Sequence, residues 1–291
     1  MTETQQEAWS AEKLGTWTSE QTHEITADAT IAYAKATNSE NAAQLAGEVA
    51  PPVYAIVPVF PQIGEAMAGL VPPSVLMRVV HGEQDMRIHQ PIVPGMTLKT
   101  RAAPVGMTTA PNGVVVHIAV ETKTDAGEPV NDQSMVAFFR GADGAPTEGE
   151  MAPSHRVGAD ERSAEPVATV TQVFDEDQTF RYADASGDHM PIHKDDAFAK
   201  QVGLPGIIIH GLCTMAFNAN AVVAECCDGD TARLKRLAVR FSRPNLPGQT
   251  LTTRIWEVLD PPAGRRAFAF ESENSGGDVS IKDGLAEVQA S

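Results

Sequence analysis

The feature that most constrains the fold is an internal duplication. Residues 88–101 lie over residues 241–254 at one offset, since 241 minus 88 is 153, and proline, Pro-Gly, Thr-Leu and Thr-Arg coincide there. Each copy reads as a strand, a Pro-Gly turn and a second strand. A chain of 291 residues that uses this unit twice is predicted to contain two related small domains.

The order of elements in the first half supports this division. Strand-like runs cover residues 79–91, 96–107, 114–124 and 134–140, and Pro61 opens a helix predicted to run through Ala68. Residues 141–166 have the composition of a linker, rich in Gly, Ala, Pro, Ser and Glu. We therefore predict a first domain of residues 1–140, a linker of residues 141–166 and a second domain of residues 167–291.

A second informative stretch carries residues suited to acid–base chemistry. Asp188 and His193 are five residues apart, and the intervening Gly187 and Pro191 predict a turn rather than a regular helix. Such a turn can bring a carboxylate and an imidazole to one water molecule. An apolar run precedes Gly211 and a helical apolar pattern follows it, so Gly211 is predicted at a helix N-terminus, where free N–H groups favour negative charge.

This stretch resembles the signature of the MaoC-like dehydratases, the (R)-specific enoyl-CoA hydratases of the hot-dog fold. The matching residues are Ser186-Gly187-Asp188-His189, Pro191-Ile192-His193 and His210-Gly211. The resemblance implies an α+β double hot-dog, in which two antiparallel sheets each wrap around a long central helix and join face to face. We predict a homodimer that needs no cofactor and no metal. Met190 departs from the signature, because the family usually has Asn there and Met only fills space.

The resemblance assigns the chemistry to three residues. Asp188 and His193 would share a catalytic water, one taking a proton as the water attacks C3 of a thioester and the other delivering a proton to C2. The N–H of Gly211 would hold the thioester oxygen as negative charge develops on it. Ser186 and Tyr182 are candidates for orienting these groups or contacting substrate, and turn hydrogen bonding and core packing explain both equally well.

The first half lacks these chemical groups. At an offset of 149 residues, where residues 31–39 lie over residues 180–188, Ser39 takes the place of the carboxylate and Gln44 that of the imidazole. At the 153-residue offset Pro58 takes the place of Gly211, and proline has no N–H to donate. We therefore predict one active site per chain, in the second half.

The first half is also a candidate for widening an acyl-binding tunnel. Its run from Val53 to Val59 is apolar, and Met67, Leu70 and Val71 are near it in the sequence. Packing around a helix explains these residues more simply than a tunnel does.

A basic cluster suggests how a carrier group would bind. Arg233, Lys235, Arg236, Arg240 and Arg243 fall within eleven residues. We predict that Arg236, Arg240 and Arg243 bind phosphates of coenzyme A. An equally good interpretation is a solvated strand edge, where positive residues block edge pairing.

Composition limits the partners. A formal net charge of −16 argues against binding to nucleic acid or to anionic membrane surfaces. No apolar run approaches about 18 residues, and residues 1–17 are polar, so we expect neither a membrane span nor a secretion signal. The three cysteines form no disulfide framework and no metal-ligand spacing, which fits a reducing cytoplasm: Cys213, Cys226 and Cys227.

Three classes of function stay open at this point. The first is hydration of an enoyl-thioester, carried by coenzyme A or by acyl carrier protein, or the reverse dehydration. The second is thioester hydrolysis, which would direct water at C1 instead of C3. The third is a non-catalytic acyl-thioester binder, which the Met190 departure keeps open.

Overall fold

The computed structural model describes residues 8–156, 158 and 161–290. In these ranges the α-helices are α1 (Ala27–Ala36), α2 (Ala42–Leu45), α3 (Phe60–Met67), α4 (Gln178–Ser186), α5 (Asp196–Gln201) and α6 (Gly211–Cys226). The strands are β1 (Gln21–Glu24), β2 (Val79–Ile88), β3 (Thr97–Ala110), β4 (Gly113–Thr124), β5 (Pro129–Arg140), β6 (Glu148–Gly149), β7 (Ala168–Val173), β8 (Leu234–Phe241), β9 (Thr250–Val258), β10 (Arg265–Asn274) and β11 (Val279–Gln289).

The structure reproduces the duplication read from the sequence. Strands β2 and β8 end at Ile88 and Phe241, and β3 and β9 begin at Thr97 and Thr250, so both boundaries keep the offset of 153. The turn between the strands requires glycine in both copies, because Gly95 has φ +93° and Gly248 has φ +79°. The repeated Pro-Gly pair therefore marks the same backbone turn used twice.

The two halves share one sheet. Its strand order is β1-β3-β4-β5-β2-β8-β11-β10-β9-β7, with β6 added beside β3. The equivalent strands β2 and β8 pair antiparallel at its centre, with Gln84 opposite Val239 and Met86 opposite Leu237. The fold is the expected α+β double hot-dog, but the two sheets join edge to edge rather than face to face. Without this pairing, β2 and β8 would each be an edge strand with unpaired backbone N–H and C=O groups, so pairing them satisfies both edges.

The central helices of the two halves differ in length. Helix α6 has 16 residues, of which twelve are buried, as expected for the helix around which a sheet wraps. At the 153-residue offset, residues 58–73 of the first half correspond to α6, and the α-helix in this range is only the eight residues of α3. Pro58 lies in the 3-10 helix Pro52–Val59, which ends directly before α3 begins at Phe60. The three cysteines are free and buried, as predicted: Cys213, Cys226 and Cys227.

The segment predicted as a linker is attached to the sheet. The N–H of Glu150 donates to the Val105 carbonyl at 2.8 Å, and His155 Nδ1 lies 2.7 Å from the Asp283 carbonyl. The segment therefore crosses from β3 in the first half to β11 in the second. Residues 157, 159 and 160 of this segment, and residues 1–7 of the polar N-terminus, lie outside the described residues. The domain boundaries remain a prediction.

Candidate active site

The turn after α4 presents Asp188. Helix α4 ends at Gly187, whose φ of +80° is the left-handed conformation that glycine adopts without strain. The N–H of Asp188 donates to Ser186 Oγ at 3.2 Å, and the N–H of Met190 donates to Asp188 Oδ1 at 3.2 Å. A backbone N–H thus holds the carboxylate in place, and Met serves this contact as well as Asn would.

His193 lies in a single 3-10 turn, Pro191–His193, and is buried. Its Nδ1–H donates to the Ile208 carbonyl at 2.8 Å, which leaves Nε2 as the nitrogen with a free lone pair. Burial lowers the pKa of His193, although the Ile208 carbonyl and the charge of Asp188 offset part of this effect. The ring is therefore neutral near pH 7, the form that can accept a proton.

His210, to which we assigned no role from the sequence, is part of the same cluster. Its ring stacks on that of His193, with centroids 3.6 Å apart and planes 21° apart. Its Nε2–H donates to the backbone carbonyl of Asp188 at 3.0 Å. Burial, followed by the neighbouring His193, lowers the pKa of His210 to about 2. The ring is therefore neutral near pH 7, and its hydrogen bond links the Asp188 turn to the start of α6. The only signal in the sequence was the position of His210 beside Gly211.

The side-chain donor atoms of Asp188, His193 and His210 all lie within 4.8 Å of one another. Three such groups can in principle hold a metal ion. Both ring nitrogens of His210 already face protein groups, because Nε2 contacts Asp188 and Nδ1 lies 3.3 Å from Thr179 Oγ1. His210 therefore has no nitrogen left to bind a metal ion. Asp188 and His193 keep open hydrogen-bonding positions, which suit one water molecule better than an ion that needs three ligands.

Gly211 begins α6, so its N–H has no acceptor inside the helix. It lines the same cavity as Asp188 and His193. A Cβ atom at this position would lie 3.2 Å from two ring carbons of Phe241, tighter than most real contacts. Glycine therefore allows Phe241 to pack directly against the first turn of the helix.

The cavity above these residues has a volume of about 570 Å³ and is shared by the two halves. Its apolar wall includes Phe60, Ile63 and Met67 of the first half. The run from Val53 to Val59 is core apart from the half-buried Val57, and the buried Leu70 also belongs to the core. Core packing was thus the better interpretation of that run, while α3 and its C-terminal Met67 line the cavity.

A histidine of the first half also lines this cavity and escaped the sequence interpretation. The ring of His81 lies 4.8 Å from that of Phe241, and His81 Nε2 is 3.0 Å from Gln84 Oε1. No pattern in the sequence placed β2 beside the catalytic turn.

The predicted arginine cluster does not form one ligand site. Arg236 donates two hydrogen bonds to Asp85, at 2.9 and 2.7 Å, and a third to Glu287 at 3.0 Å. Its side chain is only 11% exposed, so the expected contact with a phosphate does not fit the structure. Arg240 lies 3.6–3.7 Å from two carboxylates and does not line the cavity. Of the three predicted arginines only Arg243 lines it.

Ser186 and Tyr182 lie behind the site rather than on its wall. Ser186 accepts the Asp188 N–H, as described above, and is buried. The Tyr182 ring packs 4.8 Å from His210, and its hydroxyl lies 3.2 Å from that of Tyr33. These contacts are the turn hydrogen bond of Ser186 and the core packing of Tyr182, and neither residue lines the cavity.

The equivalent place in the first half holds a closed hydrogen-bond network. Ser39 Oγ donates to Gln44 Oε1 at 2.6 Å, and Gln44 Nε2 donates to Thr231 Oγ1 at 3.0 Å. All three residues are buried. The pair thus converges as Asp188 and His193 do, which supports the 149-residue alignment, but neither side chain titrates near neutral pH.

A double hot-dog with a carboxylate, a neutral imidazole and a helix N-terminus around one acyl-sized cavity defines a class, the hot-dog hydro-lyases. Two family models match the chain: the MaoC like domain over residues 157–266 and the MFE-2 hydratase 2 N-terminal domain over residues 39–141. The first model lies in the second half of the chain and the second model in the first half. The chain belongs to the MaoC-like dehydratases.

Individual relatives agree with this assignment. The 3-hydroxyacyl-thioester dehydratase Y of Mycobacterium tuberculosis is 32% identical over 250 residues, covering 82% of this chain and 81% of that protein. The probable enoyl-CoA hydratase 2 of Dictyostelium discoideum is 27% identical, covering 73% and 71%. The crystal structure of a MaoC-like dehydratase from Phytophthora capsici superposes with a TM-score of 0.78 at 26% identity, covering 93% and 95%.

Proposed function

We propose that the chain catalyses (R)-specific hydration of trans-2-enoyl-CoA thioesters to (3R)-3-hydroxyacyl-CoA, or the reverse dehydration. The observation that carries this proposal is the convergence of Asp188 and His193, within 4.8 Å, on the wall of a cavity that Gly211 also lines. The similarity to proteins named enoyl-CoA hydratase 2 and 3-hydroxyacyl-thioester dehydratase supports the same reaction.

In the proposed mechanism, water bound between Asp188 and His193 attacks C3 of the enoyl group. Together the two residues remove one proton from this water and deliver one proton to C2, so that H and OH add across the double bond. Positioned proton transfer of this kind contributes about 10²–10⁴-fold. The free N–H of Gly211 stabilises the thioester oxygen, which carries more charge in the enolate-like transition state than in the bound substrate.

Crotonyl-CoA distinguishes the three classes of function in one assay. Hydration removes the absorbance of the conjugated enoyl group without releasing free thiol, hydrolysis releases thiol, and a binder does neither. We expect loss of enoyl absorbance alone, and chiral separation of the product should give the 3R isomer. Release of thiol at the rate of substrate loss would contradict the proposal in favour of a thioesterase.

Three further properties belong to this proposal. The substrate is carried by coenzyme A or by acyl carrier protein, the chain assembles as a homodimer, and it works in the cytoplasm. Within the described residues, no helix is long and apolar enough to cross a membrane. Some relatives are named as peroxisomal proteins. Light scattering coupled to size exclusion would test the dimer, and imaging of a fluorescent fusion would test the location.

A further inference from the structure

The arginines of this acidic chain are mostly neutralised by neighbouring carboxylates. The chain has 38 Asp and Glu residues against 22 Lys and Arg. Nine arginines lie within 4.0 Å of a carboxylate oxygen: Arg101, Arg162, Arg181, Arg233, Arg236, Arg240, Arg254, Arg265 and Arg266. Within the described residues, five further arginines have no such partner, and all of them are exposed: Arg78, Arg87, Arg140, Arg156 and Arg243.

Two arginines without a carboxylate partner among the described residues line the catalytic cavity. They are Arg140 and Arg243, and both are exposed. Because the same two residues are exposed and line the cavity, they lie at its solvent-facing end. Of the five arginines without a carboxylate partner in the described ranges, Arg140 and Arg243 are the two that line this cavity.

The two arginines come from opposite halves of the chain. Arg140 is the last residue of β5, and Arg243 lies two residues beyond the end of β8. Strand β2 is paired with both β5 and β8, so it lies between them. Two strand spacings amount to about 10 Å, a gap that two extended arginine side chains can span from either side. The two arginines thus follow the strands on either side of β2, one from each half of the chain.

We propose that Arg140 and Arg243 together bind phosphate on the carrier part of the thioester. The proposal rests on the function proposed above. Guanidinium groups bind phosphate oxygens through paired, charge-assisted hydrogen bonds. An acyl chain inside the apolar cavity leaves its carrier at the exposed end, where these two groups lie.

The phosphate has two possible sources. Coenzyme A carries a pyrophosphate and a 3′-phosphate, whereas the prosthetic group of an acyl carrier protein carries the single phosphate next to pantetheine. Both share the chemistry that the arginines recognise. A series of three substrates therefore separates the two sources. Crotonyl-CoA carries all the phosphates, crotonyl-4′-phosphopantetheine carries only the one next to pantetheine, and crotonyl-pantetheine carries none.

The variants are Arg140→Gln, Arg243→Gln and the double variant, with Arg87→Gln as the matched control. Arg87 is also exposed and has no carboxylate partner in the described part of the chain, but it does not line the cavity. It therefore reports the effect of losing one positive charge anywhere on an acidic protein. Initial hydration rates over a range of substrate concentrations give kcat and KM separately for each substrate.

We expect each cavity variant to lower kcat/KM for crotonyl-CoA about tenfold through KM, and the double variant about 100-fold. The same variants should stay within twofold of the parent with crotonyl-pantetheine, and Arg87→Gln within twofold with every substrate. A loss that persists with crotonyl-4′-phosphopantetheine assigns the contact to the phosphate common to both carriers. A loss confined to crotonyl-CoA assigns it to the nucleotide phosphates.

Two results would overturn this inference while leaving the hydratase intact. One is an equal loss with the phosphate-free ester, which would mean that the arginines act on the cavity itself. The other is an equal loss of kcat/KM in Arg87→Gln, which would mean that the arginines act only through long-range attraction between positive charge on the protein and the phosphates of the substrate. A parent protein that hydrates none of the three esters would instead refute the proposed function, so the two failures are distinguishable.

Discussion

Gly211→Pro tests the part of the mechanism that depends on one backbone atom. The substitution removes the N–H at the start of α6 and reproduces what Pro58 does in the first half. The backbone accommodates proline here, because it is the first helical residue and His210 before it is extended, with φ −58° and ψ 136°. The change therefore removes a donor without breaking the helix.

The expected loss follows from the role of that donor. Removing one fixed oxyanion donor typically lowers kcat about 10²–10³-fold, or about 2.7–4 kcal/mol of transition-state stabilisation. The bound substrate carries less charge on its oxygen, so KM should change only a few-fold. A steric effect adds to this, because the new Cβ would lie 3.2 Å from the Phe241 ring, which must shift by a few tenths of an ångström.

Gly211→Ala separates the two effects. Alanine brings the same Cβ to Phe241 but keeps the N–H, so the ratio of kcat between the alanine and proline variants isolates the donor. We expect that ratio to be about 10² or more, measured as loss of crotonyl-CoA absorbance, with melting temperatures of the two variants within a few degrees. Equal kcat values in two folded variants would refute the argument and show that another group holds the oxygen.

The remaining predictions concern the acid–base pair, its counterpart in the first half and the buried His210. Asp188→Asn and His193→Ala should each lower kcat at least about 10²-fold without a matching loss in thermal stability, and near-normal rates would refute the assigned chemistry. Ser39→Ala and Gln44→Ala should leave kcat within a few-fold of the parent. Gln44→Ala should lower the free energy of unfolding by about 1–3 kcal/mol, because Thr231 loses a buried partner. Calorimetric titration with a non-reactive acyl-CoA should find one site per chain. The pKa of His210 falls from 6.5 to about 2 on folding, so below pH 6.5 the unfolded chain binds a proton that the folded chain excludes. The free energy of unfolding should therefore decrease by up to about 1.4 kcal/mol per pH unit as the pH falls, and denaturant titrations of the parent and His210→Phe should differ in this slope.

Met190, which replaces the Asn of the family signature, shows what a sequence motif alone does not reveal about a turn. The residue type indicated only that the Met190 side chain fills space where the family usually has Asn. In the structure the Met190 backbone N–H makes the contact to Asp188 Oδ1, and the Met190 side chain lines the cavity instead. A contact made by the main chain is insensitive to residue type, so this hydrogen bond does not require Asn at position 190.

The sequence by itself determined the features that depend on local order along the chain. The 153-residue repeat predicted both Pro-Gly turns and the strands on either side of them, because a turn and its flanking strands are specified within about a dozen residues. The spacing of Asp188 and His193 predicted a shared turn for the same reason. The 149-residue alignment predicted that Ser39 meets Gln44, since both halves repeat one local design.

Only the tertiary structure decided what depends on contacts between distant segments. Arg236 is removed from ligand binding by Asp85, a residue 151 positions away that β2 brings opposite β8. Arg140 reaches the catalytic cavity because β5 lies one strand from that same seam. Strand order and register across the seam set both outcomes, and they arise from burial and backbone pairing over the whole sheet, which no local pattern of residues encodes.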